Sequence, residues 1–411
     1  MLFEIPLPHW SLPLGATLSI AAALGLLLAL FGYRTRALDL LLIGIAALLT
    51  CGVGALALRG SRFTLVALPV YSYGAMLCLS LVVGWFLTLH LGARAEMKRE
   101  LLANTYFVAA IAAVLGARVL YVLTNLGEFH SITDVLALRR GGLVAYGGFL
   151  GGFLGSWAYL RWRRACLLAW ADVAAPSLAS GLLLTRIGCY LFGCDFGLPL
   201  SETAPSWLKK LGTFPRWPES LLDGAGSPAW TQHVVERGLS ATSPSSLPVH
   251  PTQLYESLAG ALLLAMSLWL GRRQRFRGEI FFALTFGYGL LRFLIEIVRD
   301  DSERGTWGPD LPQQWLIPAA LVLFSVAFAI GPAREIARVA VRRGAFAALV
   351  ALPVVAHLWL QPARFAAPTR VALSTSQWVA LMTACLVGYF WHARKNLVSE
   401  SGQAPERAPA K

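Results

Sequence analysis

Apolar runs of about 20 residues, separated by short clusters rich in Arg, follow one another along most of the chain. A membrane-spanning helix needs roughly 20 apolar residues. Eleven segments answer to that pattern: 14–33, 38–58, 66–91, 104–123, 142–160, 168–187, 252–270, 279–298, 314–331, 344–360 and 371–391. The run at 142–160 is rich in Gly, and 344–360 is short and contains Pro353. The pattern predicts an all-α polytopic membrane protein with about eleven transmembrane helices. Composition agrees, since 56% of the 411 residues are hydrophobic and 14% charged, against about 25% charged in soluble domains. A soluble multidomain chain, a disordered chain and a disulfide-stapled secreted scaffold are excluded.

The net charge of +13 changes the picture through its placement. With the N-terminus outside, the inner loops and tail carry 20 Lys and Arg and the outer segments 12, although the outer segments are about twice as long. That asymmetry predicts an N-out, C-in topology in a cytoplasmic (inner) membrane. No basic stripe is interleaved with exposed aromatics, so nucleic acid is not an expected partner. The first basic residue is Arg34, after the first apolar run, so no cleavable signal peptide is expected.

One outer segment, 198–249, is polar and rich in Pro, Gly and Ser. It is too long for an ordinary loop, and Trp207, Phe214, Trp217 and Trp230 predict a small folded extracytoplasmic head. The stretch 392–411 reads as a disordered cytoplasmic tail. The six cysteines form no CxxC pair, so neither a disulfide framework nor a metal site is expected.

Ionisable residues within spans are costly and mark candidate function. In GYGLLRFLIEIVRD, Tyr288, Arg292 and Glu296 recur at i, i+4, i+8 on one helical face. The bland alternative is an Arg–Glu pair that only holds helices together. In LLLTRIGCYLFGCDFG, Arg186 at the outer end of a span sits among glycines that let a ligand approach; snorkelling explains Arg186 alone almost as well. In VHPTQLYES, His250, Gln253 and Glu256 recur at i, i+3, i+6 beside Tyr255, where a capped helix start is the alternative. GGLVAYGGFLGG (141–152) holds six glycines. It suits either close helix contact or backbone N–H groups offered to an anionic headgroup.

Together these segments resemble the bacterial prolipoprotein diacylglyceryl transferase family. The resemblance rests on order: Tyr73-Gly74, GARVLYVL (116–123), GGLVAYGGFLGG, DVAAP (172–176) leading to TRIGCYLFGCDFG, VHPTQLYE and GYGLLRFLIEIVRDD. It covers roughly residues 66–331, seven spans and the head. The resemblance implies transfer of a diacylglyceryl group from phosphatidylglycerol to the lipobox cysteine thiol of a preprotein, giving a thioether without cofactor or metal. The partners implied are phosphatidylglycerol, lipobox-containing preproteins and membrane lipids.

By the same resemblance, Arg186, Arg292, Tyr146, Glu296 and His250 are the expected catalytic set. Tyr73, Arg118, Gly147, Gly148, Cys189, Gly197, Gln253, Tyr255, Glu256, Tyr288 and Arg299 are the expected substrate-binding set. Arg186 and Arg292 would meet the leaving phosphate in one polar cavity, with Tyr146 at its floor or wall, and Glu296 would orient Arg292 or Arg299. Many members carry His where this chain has Tyr146, Asn at Cys189, and often Glu at Cys194, which leaves the general base unassigned. A non-catalytic paralogue, or a transporter or flippase of anionic lipid using the same arginines, is the alternative function. The expected organisation is two extra spans in 1–62, a core of 63–331, and two further spans in 332–391. The extra pairs contain little that could do chemistry and are expected to be packing or docking additions.

Overall fold

A computed structural model describes residues 2–35, 45, 47–49, 51–52, 62–129, 142–217, 226–300, 305–336, 339–361 and 370–400. The expected span 38–58 lies mostly outside them. The chain divides into two compact units, Met1–Ser72 and Tyr73–Lys411.

In the first unit, strand β1 (Leu2–Pro13) precedes helix α1 (Leu14–Thr35), and strand β2 (Arg62–Tyr71) pairs antiparallel with β1. The register runs from Leu2 opposite Tyr71 to Pro13 opposite Arg62, with a shift between Pro6 and Trp10. This corrects the expected span 66–91, whose first six residues are strand. Pro69 lacks an N–H to donate to a helix, and β-branched Thr64, Val66 and Val70 favour the pleated form.

The second unit is helical. It comprises α2 (Ser72–Arg94), α3 (Arg99–Thr124), α4 (Ala145–Trp162), α5 (Leu167–Phe192), α6 (Ser206–Leu211), α7 (Pro228–Glu236) and α8 (Thr252–Gly271). Then follow α9 (Glu279–Ile295), α10 (Gln313–Ile330), α11 (Val339–Trp359) and α12 (Thr375–Glu400). Seven helical segments among the described residues are long and apolar enough to cross a membrane: α2, α3, α5, α8, α9 with its 3-10 extension to Val298, α10 and α11. Helices α1, α4 and α12 occupy three of the other expected spans, so the expected eleven is not reached by that measure. The expected tail is helical as far as Glu400; residues 401–411 lie outside the description.

Packing explains the pairings. A Cβ on Gly147 would collide with the Gly116 carbonyl, and one on Gly151 with the Ala112 carbonyl. Glycines four apart therefore let α3 and α4 approach backbone to backbone. This is the use the structure makes of the Gly-rich run. Phe286 and Phe293 of α9, Leu321 and Phe324 of α10, and Ala384 and Trp391 of α12 form one buried cluster.

At the opposite end of α9 from Arg292, Asp172 of α5 caps the helix. Its carboxylate accepts from the backbone N–H of Ile280 at 2.9 Å and Phe281 at 3.0 Å, from that of Gly278, and from Gln274 Nε2 at 2.5 Å. It thereby satisfies donors that the first helical turn leaves without partners. The described part of the head packs on Phe196, Phe214, Ala229 and Val249. Trp230 is buried and donates to the Ser243 carbonyl at 2.9 Å, whereas Trp207 is 63% exposed.

Candidate functional site

The functional side chains gather at one end of the helical unit, where α5 and α9 finish and α4, α8 and α12 begin. Gly193 ends α5 in the left-handed conformation (φ 86°), its N–H donating to the Cys189 carbonyl at 2.8 Å. Asp195 follows with φ 55°, a conformation that Asp tolerates better than most residues. Two donors from the first turn of α8 hold this turn: Gln253 Nε2 to the Cys194 carbonyl at 2.5 Å, and Thr252 Oγ1 to the Asp195 carbonyl. The Asp195 side chain is thereby aimed back at Arg186, nine residues earlier.

Gly197 is required by crowding. Its N–H donates to the His250 carbonyl at 3.0 Å, and it bridges antiparallel to Arg299. A Cβ there would strike the Val298 carbonyl, the His250 Cβ and the Thr252 methyl. Only glycine lets residues 196–198 pass between the end of α9 and the start of α8.

Six charged side chains then close into a ring. Arg186 pairs with Asp195 Oδ2 through Nη1 at 2.7 Å and with Glu256 Oε2 through Nε at 2.7 Å. Glu256 Oε1 takes Arg292 Nη1. Arg292 Nη2 lies 2.9 Å from Glu296 Oε2. Arg299 lies 3.9 Å from the same oxygen and pairs with Asp195 Oδ1. Three guanidiniums alternate with three carboxylates, so the ring carries no formal net charge. Glu256, Glu296, Arg292 and Arg299 side chains are 2, 1, 8 and 8% exposed, and Arg186 and Asp195 19 and 17%. Buried charges persist only when paired in this way. Nη2 of Arg186 has no hydrogen-bond partner among the described residues, which leaves a cationic donor at the ring.

Around the ring stand hydroxyls. Tyr288 lies within electrostatic reach of Glu256, Arg292, Arg186 and Tyr146. Tyr146, in the first turn of α4, donates to Ser376 Oγ at 2.8 Å, and Arg292 Nη2 donates to the same oxygen at 3.3 Å. Tyr73 of α2 sits against Gly188, near Arg186 and Cys189. Cys189 is buried, and its sulfur accepts from Arg186 Nη1 at 3.8 Å.

Burial would raise the Asp195 carboxyl, but Arg186 and Arg299 hold it down to about 2. Its link to Cys189, and burial, push the Cys194 thiol up, which argues against a thiolate there. Donor atoms of Cys189, Cys194 and Asp195 lie within 4.8 Å of one another, a spacing a cation could bridge. Two arginines already occupy that carboxylate, so a metal would have to displace them.

The structure thus brings together Arg186, Glu256, Arg292, Glu296 and Arg299, with Tyr73, Tyr146, Tyr288 and Cys189 beside them. Gln253 supports the turn behind the ring. Other expected residues make their contacts outside the ring itself. His250 precedes Pro251, outside helix α8, so the i, i+3, i+6 spacing does not put it on the face of Glu256. Its Nδ1 lies 3.2 Å from the Tyr255 hydroxyl, and burial lowers its pKa. Arg118 donates to the Gly142 carbonyl at 3.0 Å and stacks on Tyr121 and Phe129. Gly147 serves the α3–α4 contact, and Gly148 meets Ala113 there only in ordinary van der Waals contact. Asp195 was not among the expected residues; its signal was a carboxylate just past a Gly that ends an Arg-bearing helix. Ser376 lies in a span expected to do no chemistry.

The family model described as prolipoprotein diacylglyceryl transferase matches residues 61–331. A phosphatidylglycerol–prolipoprotein diacylglyceryl transferase of Clostridium tetani is 26% identical over 239 residues, 58% of this chain and 84% of the relative. One from Psychrobacter arcticus is 29% identical over 243 residues, covering 58% and 80%. One numbered 2 in Clostridium perfringens is 28% identical over 242 residues, covering 59% and 83%.

Proposed function

Because the chain belongs to the prolipoprotein diacylglyceryl transferase family, we propose that it transfers the diacylglyceryl group of phosphatidylglycerol to the lipobox cysteine of prolipoproteins. The observation that carries this reading is the shared carboxylate: Glu256 holds Arg186 by one oxygen and Arg292 by the other. Two guanidiniums are thereby held on one carboxylate, in a site where hydrogen bonds to an anion are stronger than in water.

The lipid phosphate accepts from the Arg186 donor and draws on Arg292, while Tyr73, Tyr146 and Tyr288 meet the headgroup. The cysteine thiol loses its proton to a base, and its thiolate attacks the glyceryl carbon bearing the phosphate. The C–S bond forms as the C–O bond breaks. Glycerol phosphate departs with the electron pair, and the arginines stabilise the charge that develops on it. His250, with its lowered pKa, is neutral near pH 7 and lies behind Gly197. The protein sits in the inner membrane with its N-terminus and head outside and its C-terminus inside, so the ring opens where exported preproteins arrive.

The test is rescue of a bacterial strain depleted of its own prolipoprotein diacylglyceryl transferase, paired with transfer of labelled diacylglyceryl to a lipobox peptide. The wild type rescues and transfers label; Arg186→Ala and Arg292→Ala insert but lose at least about a hundredfold in turnover. Movement of labelled lipid across the bilayer without transfer would overturn the enzyme reading in favour of a carrier.

A further inference from the structure

The family match ends at residue 331, yet the site does not. Helix α12, which begins 44 residues later, at Thr375, delivers Ser376 to Arg292 and Tyr146. We propose that Ser376 is a positioning residue for the transfer reaction, tying the Tyr146 hydroxyl to the Arg292 guanidinium. This inference rests on the transferase reading above.

The placement of Ser376 is fixed from several sides. Ser374 and Gln377 form a reciprocal cap: Gln377 N–H donates to Ser374 Oγ at 3.2 Å, and Ser374 N–H to Gln377 Oε1 at 2.9 Å. The buried Gln377 amide also reaches the carbonyl of Phe293, the residue after Arg292, at 3.5 Å. The Thr375 N–H donates to the Gly305 carbonyl at 3.0 Å, and Ser374 bridges Thr306. Lower on the helix, a Cβ on Gly289 would lie 3.3 Å from the Ala380 carbonyl, so α9 and α12 run in close backbone contact.

Chemistry gives that placement a use. Arg292 has donors only, so Ser376 Oγ accepts from it. The Ser376 and Tyr146 hydroxyls share one hydrogen bond and hold two protons, so one hydroxyl proton is left to offer the site. A phenol bonded to a serine that a guanidinium also holds cannot swing out of the site without giving up that hydrogen bond. The anchor for the Tyr146 phenol thus comes from outside the residues that the family model matches.

The experiment compares purified wild type with Ser376→Ala, Ser376→Thr, Tyr146→Phe and the Ser376→Ala/Tyr146→Phe pair. In the label-transfer assay, Ser376→Ala lowers kcat about ten- to hundredfold, with KM for phosphatidylglycerol unchanged. Ser376→Thr restores it, and the pair loses no more than the larger single change, the mark of coupled residues. In parallel, protein carrying carbon-13 at tyrosine Cζ is measured in detergent micelles, with the Tyr146 resonance assigned from its loss in Tyr146→Phe. That resonance shifts in Ser376→Ala and returns in Ser376→Thr. Full kcat in Ser376→Ala, equal losses in Ala and Thr, or strictly additive losses overturn the proposal. An unmoved Tyr146 resonance overturns it whether or not label transfers. Absence of wild-type transfer counts against the transferase reading instead, and the resonance then decides Ser376 alone.

Discussion

At the N-terminal end of α9, the carboxylate of Asp172 is enclosed by three backbone N–H groups and a Gln274 amide. At the C-terminal end of the same helix, the carboxylate of Glu256 is enclosed by two arginines, each of which also holds another carboxylate. Both are buried acids brought from a neighbouring helix. The first is satisfied by dipoles that belong to the backbone and have nowhere else to go, so it fastens the helix and nothing more. The second is satisfied by charged side chains in a ring without net charge. An incoming anion can accept there from Arg186 Nη2, the donor that the ring leaves over. Satisfaction by dipoles alone marks a joint; paired charges with a cationic donor left over mark a site.

Substitutions at the two ends should separate these roles. Glu256→Gln carries the largest expected effect, since it removes the anion between Arg186 and Arg292. Breaking a buried ion pair from one side costs about 3–5 kcal/mol, and transfer should fall below detection. Thermal unfolding in detergent and the label-transfer assay measure the two losses. Turnover near wild type in Glu256→Gln would remove the ring from the reaction.

Asp172→Ala should cost about 2 kcal/mol of stability by stripping the cap of α9, while kcat of the surviving folded protein stays within about twofold. A kcat loss as large as that of Arg292→Ala would erase the distinction between joint and site.

The smallest effect is on pH dependence. Asp195 has its carboxyl held down to about 2, below its ordinary 3.8, because two arginines outweigh burial. Its folded-state pKa is lowered, so the pair's stabilisation is complete above about pH 4 and is lost as pH falls through about 2. The unfolding midpoint should therefore rise between those values, and Asp195→Asn should flatten that part of the curve. An unchanged slope in Asp195→Asn would mean that the carboxylate is not held by the ring.

Much of the helical frame was legible in the chain, because a bilayer demands long apolar runs and each run is local. The run that began at 66 misled, because Pro69 and its β-branched neighbours are as apolar as a span but cannot begin one. Arg292 and Glu296 were legible as partners, since a four-residue spacing on one helix decides the contact, and they sit 2.9 Å apart. The same periodicity failed for His250, where Pro251 holds the residue before the helix begins.

By itself, then, the sequence determined most of the apolar helices and the costly arginines at 186 and 292. Only the tertiary structure decided that Glu256 lies between those arginines, that Asp195 turns back to close the ring, and that Ser376 reaches Arg292 from 84 residues away. The physical reason is range. Periodicity reports which residues share a face of one helix, whereas the partner of a buried charge depends on which helices become neighbours. Packing of small residues across the whole unit makes that choice, and it leaves no mark at the position of the charge.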